Sequence, residues 1–197
     1  MKPVALGFRM HSGWGVLVAV SGDPDSLVVV DRRRIVVMDP ATPGGKQPYH
    51  YAAELSPEKA EQHIAKCAAL SESFAEQAIK QVGAELSDRN YRVASAAVLM
   101  AAGRSLPPLP RILAAHPLIH TAEGEFFRQS VISACERLKI PVTQIREREV
   151  EERAKSAHGK KAAQILRAIA AMGGSIGPPW TADHKAATLA ALLTLES

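Results

Sequence analysis

Val4-Ala5-Leu6-Gly7-Phe8-Arg9 leads into Ser12-Gly13-Trp14-Gly15-Val16-Leu17-Val18-Ala19-Val20. Two apolar runs separated by a serine–glycine pair read as strands over 3–9 and 14–21 joined by a turn. The cluster Gly22-Asp23-Pro24-Asp25-Ser26 then separates the second run from Leu27-Val28-Val29-Val30. Turn residues between apolar runs predict an antiparallel hairpin, so the chain opens with three antiparallel strands. Ile35 to Met38 continues the third strand or begins another. The Pro- and Gly-rich stretch from Asp39 to Tyr51 is expected to be an irregular connection, its tyrosines and His50 packed in a loop or lining a cleft.

Working outward, Ser56-Pro57-Glu58 is a helix start: a hydroxyl at the N-cap, proline in the first turn and an acid at the positive dipole end. Ile64, Cys67, Phe74, Ala78 and Val82 recur at helical spacing and predict one buried stripe to about Gly83. Tyr91 to Met100 is apolar on both faces, as a central parallel strand covered by helices would be. Leu106-Pro107-Pro108-Leu109-Pro110 is a stiff linker, followed by a helical segment interrupted near Pro117 and running to Leu138. Ile140 to Ile145 reads as the next parallel strand. Charged and apolar helices follow over 147–157 and 160–172. Gly173-Gly174-Ser175-Ile176-Gly177-Pro178-Pro179 breaks the pattern before a last helix that starts near Ala182.

Composition bounds the function classes. The 197 residues suit a single domain over 1–197, and 47% hydrophobic content is ordinary for a globular protein. No apolar run approaches the roughly 20 residues of a membrane span, and the N-terminal residues lack the pattern of a secretory signal. Cys67 and Cys135 lie far apart in helical segments, as reduced, buried thiols rather than a disulfide. A cytoplasmic protein is the expectation. The formal net charge of +4 permits a nucleic-acid partner without demanding one. Arg32-Arg33-Arg34 is the densest basic spot, but strand alternation keeps the three off one common face, and a solvated rim is the simpler reading. Aromatics at 5% give little support for a stacking platform. Gly173 to Gly177 lacks a phosphate-loop lysine.

Three antiparallel strands, a helix, then strand–helix–strand and terminal helices make an α/β fold with a mixed sheet flanked by helices. This order resembles the ribonuclease H-like superfamily, and within it the RuvC-type Holliday-junction resolvases. Leu6 to Arg9 with Gly13 to Val16 is similar to their first strand and turn. Arg92 to Val98 is similar to their fourth strand, and Ala182 to Ala187 to the start of their last helix. The resemblance implies carboxylates from those elements around two Mg²⁺ or Mn²⁺ ions, which activate water for in-line attack at phosphorus. Here the first-strand acid falls at Arg9, the fourth-strand acid at Ala96, and the second acid of the last helix at Ala186. Asp183 alone matches, and an arginine at the first position repels a divalent cation.

Three functional readings follow. In the first, the acidic site is rebuilt for metal-dependent phosphodiester hydrolysis. Asp183, Glu123 and His116 hold Mg²⁺ or Mn²⁺, His120 orients or protonates, and Arg128 or Lys185 contacts phosphate. In the second, the fold persists as a catalytically inactive nucleic-acid-binding or scaffold module. In the third, His116 and His120 form a metal or small-molecule site. His116, His120 and Glu123 stand at i, i+4 and i+7, one face of a helix, although this is no HExxH motif. Each residue also has a structural reading. Asp183 suits a helix cap, Glu125 and Arg128 suit an i, i+3 ion pair, and Gly124 in mid-helix, costing about 1 kcal/mol, suggests close approach of another backbone or a ligand. Oligomeric state stays open, a homodimer included.

Overall fold

In the first strand the even-numbered residues from Val4 to Met10 are large and apolar, while the odd-numbered ones from Ala5 to His11 are small or polar. That alternation decides which layer lies on which face. The computed structural model describes residues 1–101 and 105–195. Strands β1 (Lys2–His11), β2 (Trp14–Ser21), β3 (Val28–Val36), β4 (Tyr91–Met100) and β5 (Val142–Arg146) form one sheet in the order β3-β2-β1-β4-β5. The β1–β2 and β2–β3 pairs are antiparallel, and β1–β4 and β4–β5 are parallel. This is the mixed sheet that the order of the sequence signals predicts, three antiparallel strands followed by two parallel ones.

Val4, Leu6, Phe8 and Met10 face one layer, built from α2 (Pro57–Asp88) and α4 (His116–Arg137), with Ala96 and Val98 of β4 in the same core. The opposite face carries α8 (Ala182–Leu195), with α5 (Val150–His158) and α6 (Ala162–Ala171) beside it. There Ala5 packs against Ala187 and Ala191. Gly7 sits under the same helix, where an added Cβ would run into the backbone carbonyl of Ala187. Glycine at this position lets α8 lie directly on β1. Two residues further along β1 stands Arg9, and one turn earlier in α8 stands Asp183, so the Gly7 contact fixes which side chains meet at the sheet edge.

Several elements differ from their sequence signals for local reasons. The connection from 39 to 51 contains a short helix, α1 (Pro48–Ala53), with proline in its first turn. Helix α2 passes through Gly83 to Asp88 because Leu86, one turn beyond Val82, extends the buried stripe. The break near Pro117 separates α3 (Leu109–Leu113) from α4, where Pro117 is the second helical residue. The remaining short helix is α7 (Gly173–Ile176), and one-turn 3₁₀ helices flank α5 at 147–149 and 159–161.

Of the three consecutive arginines only Arg34 is exposed as a solvated rim would be, while Arg32 and Arg33 are half-buried. Arg32 donates to the carbonyls of Ile176 and Gly177 at 2.7 and 2.9 Å and also to Pro179. Arg33, facing the other way, pairs with Asp31 at 2.7 Å and Glu85 at 2.5 Å. Arg34 lies 4.1 Å over the ring of Trp14. Cys67 and Cys135 are free and buried, and burial pushes the Cys135 thiol up to about 12. No helix among the described residues is long and apolar enough to cross a membrane.

Candidate functional site

The parallel strands β1, β4 and β5 end at one edge of the sheet, where ligands of open α/β sheets collect. Two polar clusters occupy this end of the molecule.

The first is built on β1 and α8. Arg9 and His11, both on the α8 side of β1, converge on Asp183. Arg9 forms one ion pair with Asp183 and a second with Glu147, just beyond β5. His11 Nε2 lies 2.7 Å from the other carboxylate oxygen of Asp183. Burial, then Arg9 and Arg128, hold His11 below its ordinary value, with Glu147 opposing them only in part. Arg9 already balances Asp183, so the carboxylate receives a proton-bearing neutral imidazole rather than an imidazolium. The His11 ring stacks on Trp14 with centroids 4.4 Å apart. Gly13, at φ +79°, makes the turn that returns the chain from His11 to Trp14.

The arrangement consumes its own charge. Two carboxylates that would attract a cation instead share one guanidinium, whose fork suits that role. Asp183 serves this network. The helix start is capped by Thr181 and His184, the Thr181 N–H donating to His184 Nδ1 at 3.3 Å and the two side chains meeting at 2.8 Å. That is the reciprocal half of a capping box, with histidine in the place of glutamate. Arg9, Arg148 and Lys185 line an adjoining cleft of about 560 Å³, together with Glu147 and Glu151.

The second cluster joins α1 to the start of α4. His116 and His120 meet, Nε2 to Nε2, at 2.9 Å. The His50 ring lies 5.2 Å from His116 and 4.8 Å from His120 between centroids. One ligand atom from each of the three lies within 4.8 Å of the others. Beneath them Glu123, only 7% exposed, accepts the backbone N–H of His50 at 3.1 Å through Oε1. Its Oε2 lies 2.9 Å from His50 Nδ1, within ion-pair range but off the line of a hydrogen bond.

The expected residues therefore divide between two sites. Asp183 belongs to the Arg9 network, while Glu123, His116 and His120 belong to the histidine pocket. Among the described residues, His50, His116 and His120 are the only group of three or more with ligand atoms so close, so Asp183, Glu123 and His116 do not assemble as one metal set. Lys185 lines the cleft beside Ala182 and Ala186. Arg128 does not reach outward: its Nε donates to the Leu99 carbonyl at 2.9 Å, and a terminal nitrogen donates to the Gly124 carbonyl. It ties α4 to the end of β4, in place of the anticipated surface pair with Glu125, and its burial pulls its pKa down. Gly124 is approached by the Arg128 side chain rather than by another backbone.

Sequence reasoning took His50 no further than a packed loop or a cleft lining, and it missed Glu147 and His11. His50 and Glu147 are distant in the chain from their partners. His11 had a readable signal, since it follows Arg9 by two on a strand and must share its face.

No protein-family model matches the chain, and no curated protein does. Among solved structures the chain is similar to RuvC of Thermus thermophilus in complex with a Holliday-junction substrate, at 13% identity and a TM-score of 0.49, covering 96% of this chain and 90% of that one. A second Thermus thermophilus RuvC structure gives 13% identity and a TM-score of 0.48, with 96% and 92% covered.

Proposed function

We propose that this protein is a catalytically silent ribonuclease H-like module that engages a nucleic-acid backbone through the cleft beside Arg9. The observation that carries the proposal is the Arg9 guanidinium, which stands on the central strand between Asp183 and Glu147. A cation already occupies the electrostatic position that two-metal hydrolysis reserves for Mg²⁺ or Mn²⁺, and the arginine repels a second one. Hydrolysis with Asp183, Glu123 and His120 acting together is not favoured, because these residues serve separate clusters.

Binding is supported by what the network leaves over. Arg148 and Lys185, the cleft cations outside the Arg9 clasp, line it beside Glu151, in a chain with a formal net charge of +4. Such a surface gives phosphate contacts whose strength falls with salt as counterions are released.

The test is titration of duplex, single-stranded and four-way-junction DNA at several salt concentrations, with Mg²⁺ and Mn²⁺ cleavage assays on the same substrates. The expected result is salt-sensitive binding with no cleavage. Lys185→Ala and Arg148→Ala should each weaken binding uniformly across sequences and lower the salt slope by about 1. Metal-dependent cleavage abolished by Asp183→Asn would contradict the proposal, and so would an absence of binding at low salt.

A further inference from the structure

The histidine pocket is not used by the proposed nucleic-acid contact, and its geometry stands on its own. Three imidazoles from two helices converge, with His116 and His120 one turn apart on α4 and His50 reaching in from α1. Side chains four apart on a helix share a face, so the sequence spacing delivers the first pair, and the turn into α1 delivers the third. Solvated histidines have no reason to gather in this way. They repel when protonated, and when neutral they satisfy one another only in part.

The buried acid is the second observation. Glu123 is one of few charged side chains taken out of water in this molecule, and its contacts are the backbone N–H and ring of His50. A buried carboxylate is costly unless something positive or strongly polar answers it. His50 Nδ1 is buried without a hydrogen-bond partner 2.9 Å from Glu123 Oε2. A turn of the ring onto that oxygen would hold the proton on Nδ1 and leave Nε2 as the lone-pair donor. This is how a carboxylate orients a metal-bound histidine and raises its basicity.

We infer that His50, His116 and His120 form a three-histidine site for a late first-row divalent cation of the Zn²⁺ class, with Glu123 as the carboxylate that positions His50. Imidazole donors select Zn²⁺, Cu²⁺, Ni²⁺ or Co²⁺ over Mg²⁺ and Mn²⁺, so this site differs in kind from the acidic centre that the fold would otherwise suggest. Three protein ligands leave a fourth tetrahedral position for water or an anionic ligand. Both His116 and His120 are exposed, so that position is open to solvent. Metal binding would also clamp α1 onto the start of α4.

Calorimetric titration of Zn²⁺ into the metal-free full-length chain should give one ion per chain, with protons released on binding. Titration with Co²⁺ should develop the visible bands of tetrahedral coordination. His116→Ala and His120→Ala should abolish both signals. Because these side chains are exposed, the metal-free variants should melt with the metal-free parent, which separates loss of a ligand from loss of fold. His50→Ala should behave alike, while Glu123→Gln should retain the site with affinity lowered about 10- to 100-fold. Zinc binding that survives His116→Ala and His120→Ala would overturn the inference. So would an absence of saturable binding in the parent, which would leave three histidines merely hydrogen-bonded to one another. Neither result depends on whether the protein binds nucleic acid.

Discussion

Two carboxylates near the same end of the sheet have opposite surroundings. Asp183 faces a permanent cation, Arg9, which it shares with Glu147, and the neutral His11 fills its remaining oxygen. Glu123 faces only an imidazole and a backbone N–H. The first carboxylate is spent on the fold. The second keeps its charge available to a ligand through His50. The comparison teaches that cation affinity is decided by what already balances an acid, not by the acid's place in a fold. An arginine on the central strand makes of Asp183 and Glu147 an internal clasp between β1, the turn just beyond β5 and α8. The chemistry of interest then moves to the helical layer on the other side of the sheet.

The comparison can be broken most forcefully at Gly7. Gly7→Val drives a side chain into the Ala187 carbonyl, so α8 must shift and take Asp183 away from Arg9. Destabilisation of about 3 kcal/mol is expected, read as a lower denaturation midpoint. The zinc response of the histidine pocket should survive, because α4 packs on the opposite face of the sheet from α8.

A smaller and more selective change is Arg9→Ala. It removes a partly exposed double ion pair and should cost about 1–2 kcal/mol, between the values for surface and buried pairs. It also strands Asp183 and Glu147 beside each other, so Mn²⁺ should stabilise this variant in thermal melts and leave the parent unchanged. Equal responses from variant and parent would erase the distinction between the two regions.

Arg32→Ala should cost about 1 kcal/mol and loosen the 176–179 segment that leads into α8, read as faster amide hydrogen exchange there. The carbonyls of Ile176, Gly177 and Pro179 lose their shared donor. The effect should be confined to the clasp side.

The gentlest test is pH. His11, His63 and His184 all lie below their ordinary value, chiefly through burial, with positive neighbours adding to it. In the unfolded chain a histidine takes up a proton near pH 6.5, before these folded ones do. The unfolded state therefore binds more protons in that window, and stability should fall as pH drops from about 7 through 6.5 toward the depressed folded values. Melting temperatures that are flat or rising on acidification would show that the clasp does not keep His11 neutral.

The fold was legible because its signals are local and repeated. The apolar run of β1, the turn at Gly13, the Ser56-Pro57-Glu58 start and the apolar run of β4 each state one element, and their order leaves few topologies. The spacing of His116, His120 and Glu123 was legible for the same reason, being periodicity on one helix. What the sequence concealed depends on distant segments meeting. Nothing in Pro48-Tyr49-His50 announces that it packs on the start of α4, and nothing in Glu147 announces that it will share a guanidinium with Asp183. Asp183 and Glu123 looked alike as isolated acids. They differ only in the neighbours that folding supplies. Arg128 misled for a related reason: a cation beside histidines and glutamates suggests an outward anion contact, but its carbonyl partner on Leu99 becomes visible only once α4 lies against β4.

The most direct measurement is a calorimetric titration of Mn²⁺ into the metal-free parent, Arg9→Ala and Asp183→Asn. If Arg9 holds the cation position at the sheet edge, the parent and Asp183→Asn show no saturable binding, while Arg9→Ala gains it. Saturable Mn²⁺ binding to the parent that disappears in Asp183→Asn would mean that Asp183 serves a metal after all, and would contradict the account.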